Sequence, residues 1–280
     1  MDNCVRIGRL GILLHPAKAE ARALAGEVCD ACRHVGMEAV AIGAATQLDE
    51  QIDAVAVLGG DGTILRALRL MHGRMLPVLG VNLGTMGFLA ECAPEGVVEA
   101  VARLARGEYR TDERMLLRVS SEGLSDCLAL NDVAISRGSC QRVVRAEIFV
   151  NGQPAAAFDG DGAVIASPTG STAYSLSAGG PVVAPDVECI VLSPICPHTF
   201  SARPMVISAS SQISAEFSPR SGEGELMLSV DGDAGVVMRS ASLLVRRAQE
   251  RLPFIRLYDD SFFSLLRGKL SLWGGNVTHE

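Results

Sequence analysis

Apolar positions along the first third of the chain come in two rhythms. Short unbroken runs, Ile7 to Leu14, Met37 to Ile42, Val55 to Leu58 and Leu76 to Val81, alternate with stretches in which apolar residues recur every three or four positions, as at Ala21, Leu24, Val28, Cys32 and Val35. The runs suit strands buried on both faces, and the wider spacing suits helices packed by one face. The periodicity therefore predicts a helix over 17–35 ended by Gly36, a second opening at Gly62 with Ile64, Leu65, Leu68 and Met71 on one side, and a third from Val97 to Arg106. Strands alternating with helices imply a small parallel sheet covered on both faces, with ligands expected at the carboxyl ends of its strands.

From about Arg110 the rhythm changes to alternation. Met115 to Ser120, Asp126 to Ser136, Val143 to Val150, Ile213 to Phe217, Leu226 to Val230 and Leu243 to Val245 read as strands, and Asn151-Gly152 is a strong hairpin signal. A chain of 280 residues exceeds the usual single-domain size. The expected division is an α/β domain over 1–110, with 253–280 packing back on it, and a mostly antiparallel, sandwich-like β domain over 111–252.

Charge and cysteines narrow the functional classes. The formal net charge is −7 and no block of Lys and Arg appears, which argues against nucleic acid as a partner. No apolar run reaches the ~20 residues of a membrane span, and the N-terminus lacks a basic region leading into an apolar core, so a cytoplasmic protein without a membrane partner is expected. The eight cysteines show no paired metal spacing; Cys29 and Cys32 form a C-x-x-C inside a helical pattern, read as incidental thiols in a reducing compartment, with a redox or zinc role as the lesser alternative.

The candidate chemistry centres on Gly59-Gly60-Asp61-Gly62-Thr63, between an apolar run and a helical segment. Glycines there bring backbone N–H groups close to an anion, and the following helix adds its positive end, so Gly59, Gly60, Gly62 and Thr63 form a candidate phosphate loop. A carboxylate beside a phosphate repels it, and the natural reason for Asp61 is a hydroxyl to deprotonate. Taken alone, the segment reads better as an ordinary strand-to-helix turn with Asp61 complementing the helix dipole.

Further stretches shift that balance. In Leu130-Asn131-Asp132-Val133 an amide and a carboxylate interrupt an apolar strand, a pair able to grip a base and vicinal ribose hydroxyls, or else an Asx turn. From Asp159-Gly160-Asp161-Gly162 to Gly179-Gly180-Pro181, hydroxyl residues cluster around Gly170 and lead into a short helical turn ended by glycines. Ser229 to Gly235 holds two carboxylates and reads first as a hairpin turn. P-loop, classical Rossmann, serine-hydrolase and zincin motifs are absent, and His198 reads as a satisfied loop histidine.

Together these motifs, with Asn82-Leu83-Gly84-Thr85-Met86-Gly87-Phe88-Leu89, Pro194-Ile195-Cys196-Pro197-His198 and Arg203-Pro204, resemble the NAD kinase family in residue and order over most of 55–235. The resemblance implies ATP-dependent phosphorylation of the adenosine-ribose 2′-hydroxyl of NAD, at a cleft between the two domains, with Asp61 as proton acceptor. It implies that Gly62 and Phe88 border the adenosine end, that Asn131 and Asp132 hold base and ribose, and that Asp161 with Thr172, Ala173, Tyr174, Ser175, Leu176 and Ser177 lines the rest of the dinucleotide. Arg142 falls where the family also contacts the nucleotide, and Asp233, a further candidate contact, stands where a glutamine is more usual. Mg²⁺ is expected to arrive on the phosphates of ATP, with no protein residue as a metal ligand, and a homodimer or homotetramer is expected to form through the β domain.

Two departures stand out. The shorter Asp132 replaces a frequent Glu, which implies longer or water-mediated ribose contacts. Asp159 stands where a basic residue is common; facing the ligand, it would oppose a polyanion and favour NAD over NADH. A lipid kinase would share only the first motif, and a non-catalytic dinucleotide-binding regulator would have no use for a base at Asp61.

Overall fold

The computed structural model describes residues 5–43, 48–84, 87–122, 124–138, 143–222, 224–233, 235–259 and 261–270. The chain divides into two compact units, one holding residues up to Glu113 together with those from Leu252 onward, the other Arg114–Arg251.

In the first unit, β1 (Arg9–Leu14), β2 (Glu38–Ile42), β3 (Ala54–Leu58) and β4 (Val78–Val81) form a parallel sheet in the order β2-β1-β3-β4. All residues of β3 and β4 are buried, as their unbroken apolar runs require of central strands. Helices α1 (Ala19–His34), α2 (Asp61–Leu70) and α3 (Val97–Arg106) connect or flank these strands. In α3 the buried positions are Val97, Ala100, Val101 and Leu104, one stripe of a helix that ends at Gly107. The core runs from Leu10, Ala56 and Leu79 through Leu24, Val28 and Val101 to Ile255 and Leu257 of the returning segment. That return is pinned by Glu91, whose carboxylate accepts the N–H of Leu257 and of Tyr258 and pairs with Arg256 at 3.0 Å. A last helix, α5 (Phe262–Leu270), belongs to the same unit.

The second unit is a two-sheet β structure. One sheet contains β8 (Val144–Val150), β9 (Gln153–Gly160), β13 (Gln212–Pro219) and the first part of β16 (Ala241–Arg256), with β5 (Arg110–Ser121) and β6 (Leu124–Ala129) added through β16. The other has the order β12-β11-β10-β7-β14-β15, from β7 (Asp132–Arg137), β10 (Gly162–Ala166), β11 (Cys189–Ile195), β12 (Met205–Ser208), β14 (Leu226–Val230) and β15 (Val236–Met238). Leu117, Ile148 and Val245 from one sheet pack with Ile135, Ile165 and Leu192 from the other, so the layers share a core as in a sandwich. Among the described residues no helix is long and apolar enough to cross a membrane.

Several elements differ from their sequence patterns. The strand expected over 126–136 is two strands, β6 and β7, separated by Leu130 and Asn131. The one expected over 243–245 runs on to Arg256, through residues expected in the C-terminal segment. Strands β10 and β11 are wholly buried and so carry no polar alternation to announce them. The hairpin at Asn151-Gly152 forms with both residues at positive φ, 51° and 76°.

Candidate functional site

The first unit presents Asp61 as the opening residue of α2, directly after β3 and Gly60. Its carboxylate is held by the chain leaving β4: Oδ2 accepts the N–H of Phe88 at 3.0 Å and Oδ1 that of Leu89 at 3.3 Å. A Cβ on Gly87 would lie 1.8 Å from Oδ1, so only glycine lets this backbone approach so closely. Each carboxylate oxygen has two lone-pair directions, so one on each remains for a further donor. Asp61 is half-buried and Gly62 exposed, and the N–H groups of these first two residues of α2 have no intrahelical acceptor. The arrangement can take up a proton at Asp61 beside a set of anion-seeking backbone groups. Gly59, Gly60 and Thr63 shape the turn, with the Thr63 N–H bonded to the Gly60 carbonyl at 2.8 Å. The Phe88 ring lies 6.4 Å from that of Phe262 and beneath the Lys269 ammonium at 5.3 Å. Thr85 and Met86 of the same motif lie outside the described residues.

In the second unit the turn at Asn131 and Asp132 is clamped from both sides. Its carbonyl side meets the segment after β10: Ser167 donates its N–H to the Asn131 carbonyl at 2.8 Å and its hydroxyl to the Leu130 carbonyl. Gly170 packs so closely there that a Cβ would fall 2.0 Å from the Asn131 oxygen. On the N–H side stands Asp231, whose sequence pattern marks it only as part of a hairpin turn. Its buried carboxylate accepts from Leu130, Asn131 and Asp132 at 2.8, 2.7 and 3.1 Å.

Asp132 is itself buried, and the backbone N–H of Tyr174 reaches its carboxylate. Burial, with the charge of Asp231 adding, pushes the Asp132 carboxyl up to about 7, against the Tyr174 hydrogen bond. Thr172 to Ser177 form the end of a 3₁₀ turn and the short helix α4 (Tyr174–Ser177), with Ser175 buried against Ser193 and Thr172, Ala173 and Leu176 part-exposed. Arg114, also buried, supports the 3₁₀ turn through Thr169 at 3.4 Å. Burial pushes the Tyr174 phenol above its ordinary value, with the charges of Cys196, Asp132 and Asp161 adding.

Asp159 and Asp161 flank Gly160 at the β9–β10 corner. Asp161 pairs with Arg137 at 3.2 Å, while Asp159 pairs with Arg220 at 2.8 Å and Arg145 at 3.5 Å. Asp233 lies exposed in the hairpin after β14, and Arg142 lies outside the described residues. His198 is exposed, its N–H on the Asp159 carbonyl. Cys32 is buried in α1 with its sulfur 3.8 Å from that of Met37, and burial pushes its thiol up to about 11. Among the described residues no group of three or more His, Cys, Asp or Glu is placed to hold a metal ion.

Comparison with known proteins gives a consistent picture. Residues 18–109 match the family model described as ATP-NAD kinase N-terminal domain, and residues 130–257 that of the ATP-NAD kinase C-terminal domain. The chain is 43% identical over 233 residues to an NAD kinase of Gemmatimonas aurantiaca, covering 81% of this chain and 80% of that protein. It is 38% identical over 247 residues to an NAD kinase of Geobacter metallireducens, covering 86% and 85%. In structure it is similar to an Archaeoglobus fulgidus NAD kinase in complex with ATP, with a TM-score of 0.77, 27% identity and coverage of 93% and 97%. A yeast NADH kinase complexed with NADH shares the fold at a TM-score of 0.84 and 23% identity, covering 100% and 90%.

Proposed function

The chain belongs to the NAD kinase family, and on that premise we propose that it transfers the γ-phosphoryl group of ATP to the 2′-hydroxyl of the adenosine ribose of NAD, with Asp61 as the general base. The observation that carries this reading is the seating of Asp61: a half-buried carboxylate, oriented by two N–H groups of a glycine-containing turn, with lone pairs left over. As the O2′–P bond forms, the hydroxyl proton passes to Asp61 and the bond from the γ-phosphorus to the β–γ bridging oxygen breaks, releasing ADP.

Asn131 and Asp132 recognise the adenosine base and ribose, Phe88 and Gly62 border that end, and Asp161 with Thr172 to Ser177 receives the remainder. The divalent cation enters as part of the ATP substrate and neutralises its phosphates, as hard cations do in such reactions. Among the described residues six cysteines are free of disulfides, which supports our reading of a reducing, cytoplasmic setting, and we read the protein as a homodimer or homotetramer, which light scattering at micromolar concentration would refute by returning a monomer.

The test is product analysis. Incubation with ATP, Mg²⁺ and NAD should yield NADP phosphorylated at the 2′ position, read by ³¹P and ¹H NMR. Phosphate at any other hydroxyl overturns the assignment.

A further inference from the structure

Resting on the reading that Asn131 and Asp132 hold the adenosine ribose, we propose that Asp231 is the positioning residue of that recognition turn. It acts through the backbone and charge of its neighbours. The sequence distance is large, 99 to 101 residues, yet one carboxylate gathers three successive N–H groups of the turn, and the Asp231 N–H returns a bond to the Asp132 carbonyl at 2.8 Å. These donors lie where β6 ends and β7 begins, two of them buried, so without Asp231 they lose the acceptor that satisfies them. Asp231 adopts a left-handed backbone, φ 52°, a conformation that Asp and Asn tolerate best among residues with a side chain. The hairpin thus carries a cost in local geometry to aim this one side chain.

The same carboxylate biases the charge of Asp132. Of the groups that bear on Asp132, Asp231 comes from the β14–β15 turn and Tyr174 from α4; the charges of Asp161 and Cys196 act with that of Asp132 on the Tyr174 phenol, and Arg137 pairs with Asp161. Burial and then the charges of Asp231 and Asp126 raise the Cys127 thiol on β6, with Arg118 opposing them. With its proton on, Asp132 has less capacity to accept hydrogen bonds from the two ribose hydroxyls than as a carboxylate. NAD affinity should accordingly improve as pH rises through about 7, and binding near that pH should release a proton from Asp132.

The Asp231→Asn variant keeps size and backbone tolerance but replaces one acceptor oxygen with an NH₂ facing an N–H group. It should raise KM for NAD between about 10- and 100-fold through misplacement of the turn, with kcat and KM for ATP changed by less than about threefold. Removing the like charge should also move the acid limb of kcat/KM for NAD to lower pH, which a purely structural lesion does not do. Should the variant not fold, calorimetry of NAD binding to the wild-type protein in buffers of differing ionisation enthalpy reads the proton release directly, and Asp132→Asn should abolish it. Absence of proton release in the wild-type protein, or an unmoved pH limb and KM in Asp231→Asn, overturns the proposal. If Asp132→Asn leaves KM for NAD unchanged, the parent reading of the ribose site fails instead.

Discussion

The turn at Phe88 in the first unit and the turn at Asn131 in the second are built with one device, a carboxylate that collects consecutive backbone N–H groups. In the first, Asp61 takes two donors, stays half-buried and keeps lone pairs for something else. In the second, Asp231 takes three and is closed off at 8% exposure. On the proposed reading, the carboxylate that is saturated and buried is a holder, and the turn it holds carries the recognising side chains. The one left partly open is the group being held, and its own oxygens would carry the chemistry. The count of donors and the residual exposure separate the two roles where residue type cannot.

The largest effect that sharpens this contrast is expected at Asp61. Asp61→Asn keeps the shape and an acceptor oxygen for one of the two N–H contacts but, on the proposed mechanism, cannot take the ribose proton, so kcat should fall by ~10²–10⁴-fold, roughly 3–5.5 kcal/mol of barrier. The melting temperature and the affinity for NAD should change little. A kcat within a few-fold of wild type, with product still phosphorylated at the 2′ position, would mean that Asp61 is a structural cap and the two turns are alike. Next in size is Gly87→Ala, whose methyl would meet the Asp61 carboxylate; a displacement of order 1 Å there should cost about 10²-fold in kcat. The matching Gly170→Ala crowds the Asn131 backbone instead and should show as about 1–3 kcal/mol of lost stability and a raised KM for NAD. If both glycine variants lose kcat alone, the division of labour between the turns is wrong.

How far the sequence reveals this design depends on the length of chain each contact spans. Gly59 to Thr63 is legible because strand, turn and helix signals sit side by side and the physics is local. The α/β half and the Asn151-Gly152 hairpin follow from patterns of the same short range. Asn131 and Asp132 stand out as polar residues in an apolar strand, but the break they mark between β6 and β7 is imposed by Asp231 from the other end of the domain. Periodicity carries no trace of such a bond. Strands β10 and β11 escaped because burial on both faces removes alternation. The partners of Asp159 were equally hidden: only the β8–β9 register sets Arg145 opposite it, and Arg220 arrives from the end of β13.

A third effect probes the second unit away from its clamped turn. If Asp161 accepts hydrogen bonds from the carboxamide of the nicotinamide end, Asp161→Ala should raise KM for NAD by about tenfold, near the ~1.5 kcal/mol lower end for a bond to a charged group because Arg137 already shares the carboxylate. KM for ATP should move less. Equal weakening of both substrates would give Asp161 a folding role instead.

The smallest effect is expected at Asp159, where the sequence suggests a charge opposed to the dinucleotide phosphates and the structure sets arginines beside it. Its Oδ2 lies 2.8 Å from Arg220 and its Oδ1 3.5 Å from Arg145, which also pairs with Glu147 at 3.4 Å. Two cations and two carboxylates leave the corner neutral, so an approaching polyanion meets little net repulsion. Arg145 and Arg220 are 45% and 67% exposed at the side chain, which keeps their attraction to Asp159 well screened by water. Neutralising the carboxylate in Asp159→Asn should therefore lower KM for NAD by no more than about threefold at low salt, and the gain should vanish as added salt shortens the Debye length from ~30 Å at 0.01 M to ~3 Å at 1 M. NADH, lacking the cationic ring, should respond in the same direction and by a similar factor, since the change acts on the shared phosphates. A fall of more than tenfold that persists in high salt would require direct contact between Asp159 and the ligand, and would move this residue from the class of paired, structural carboxylates to that of Asp61.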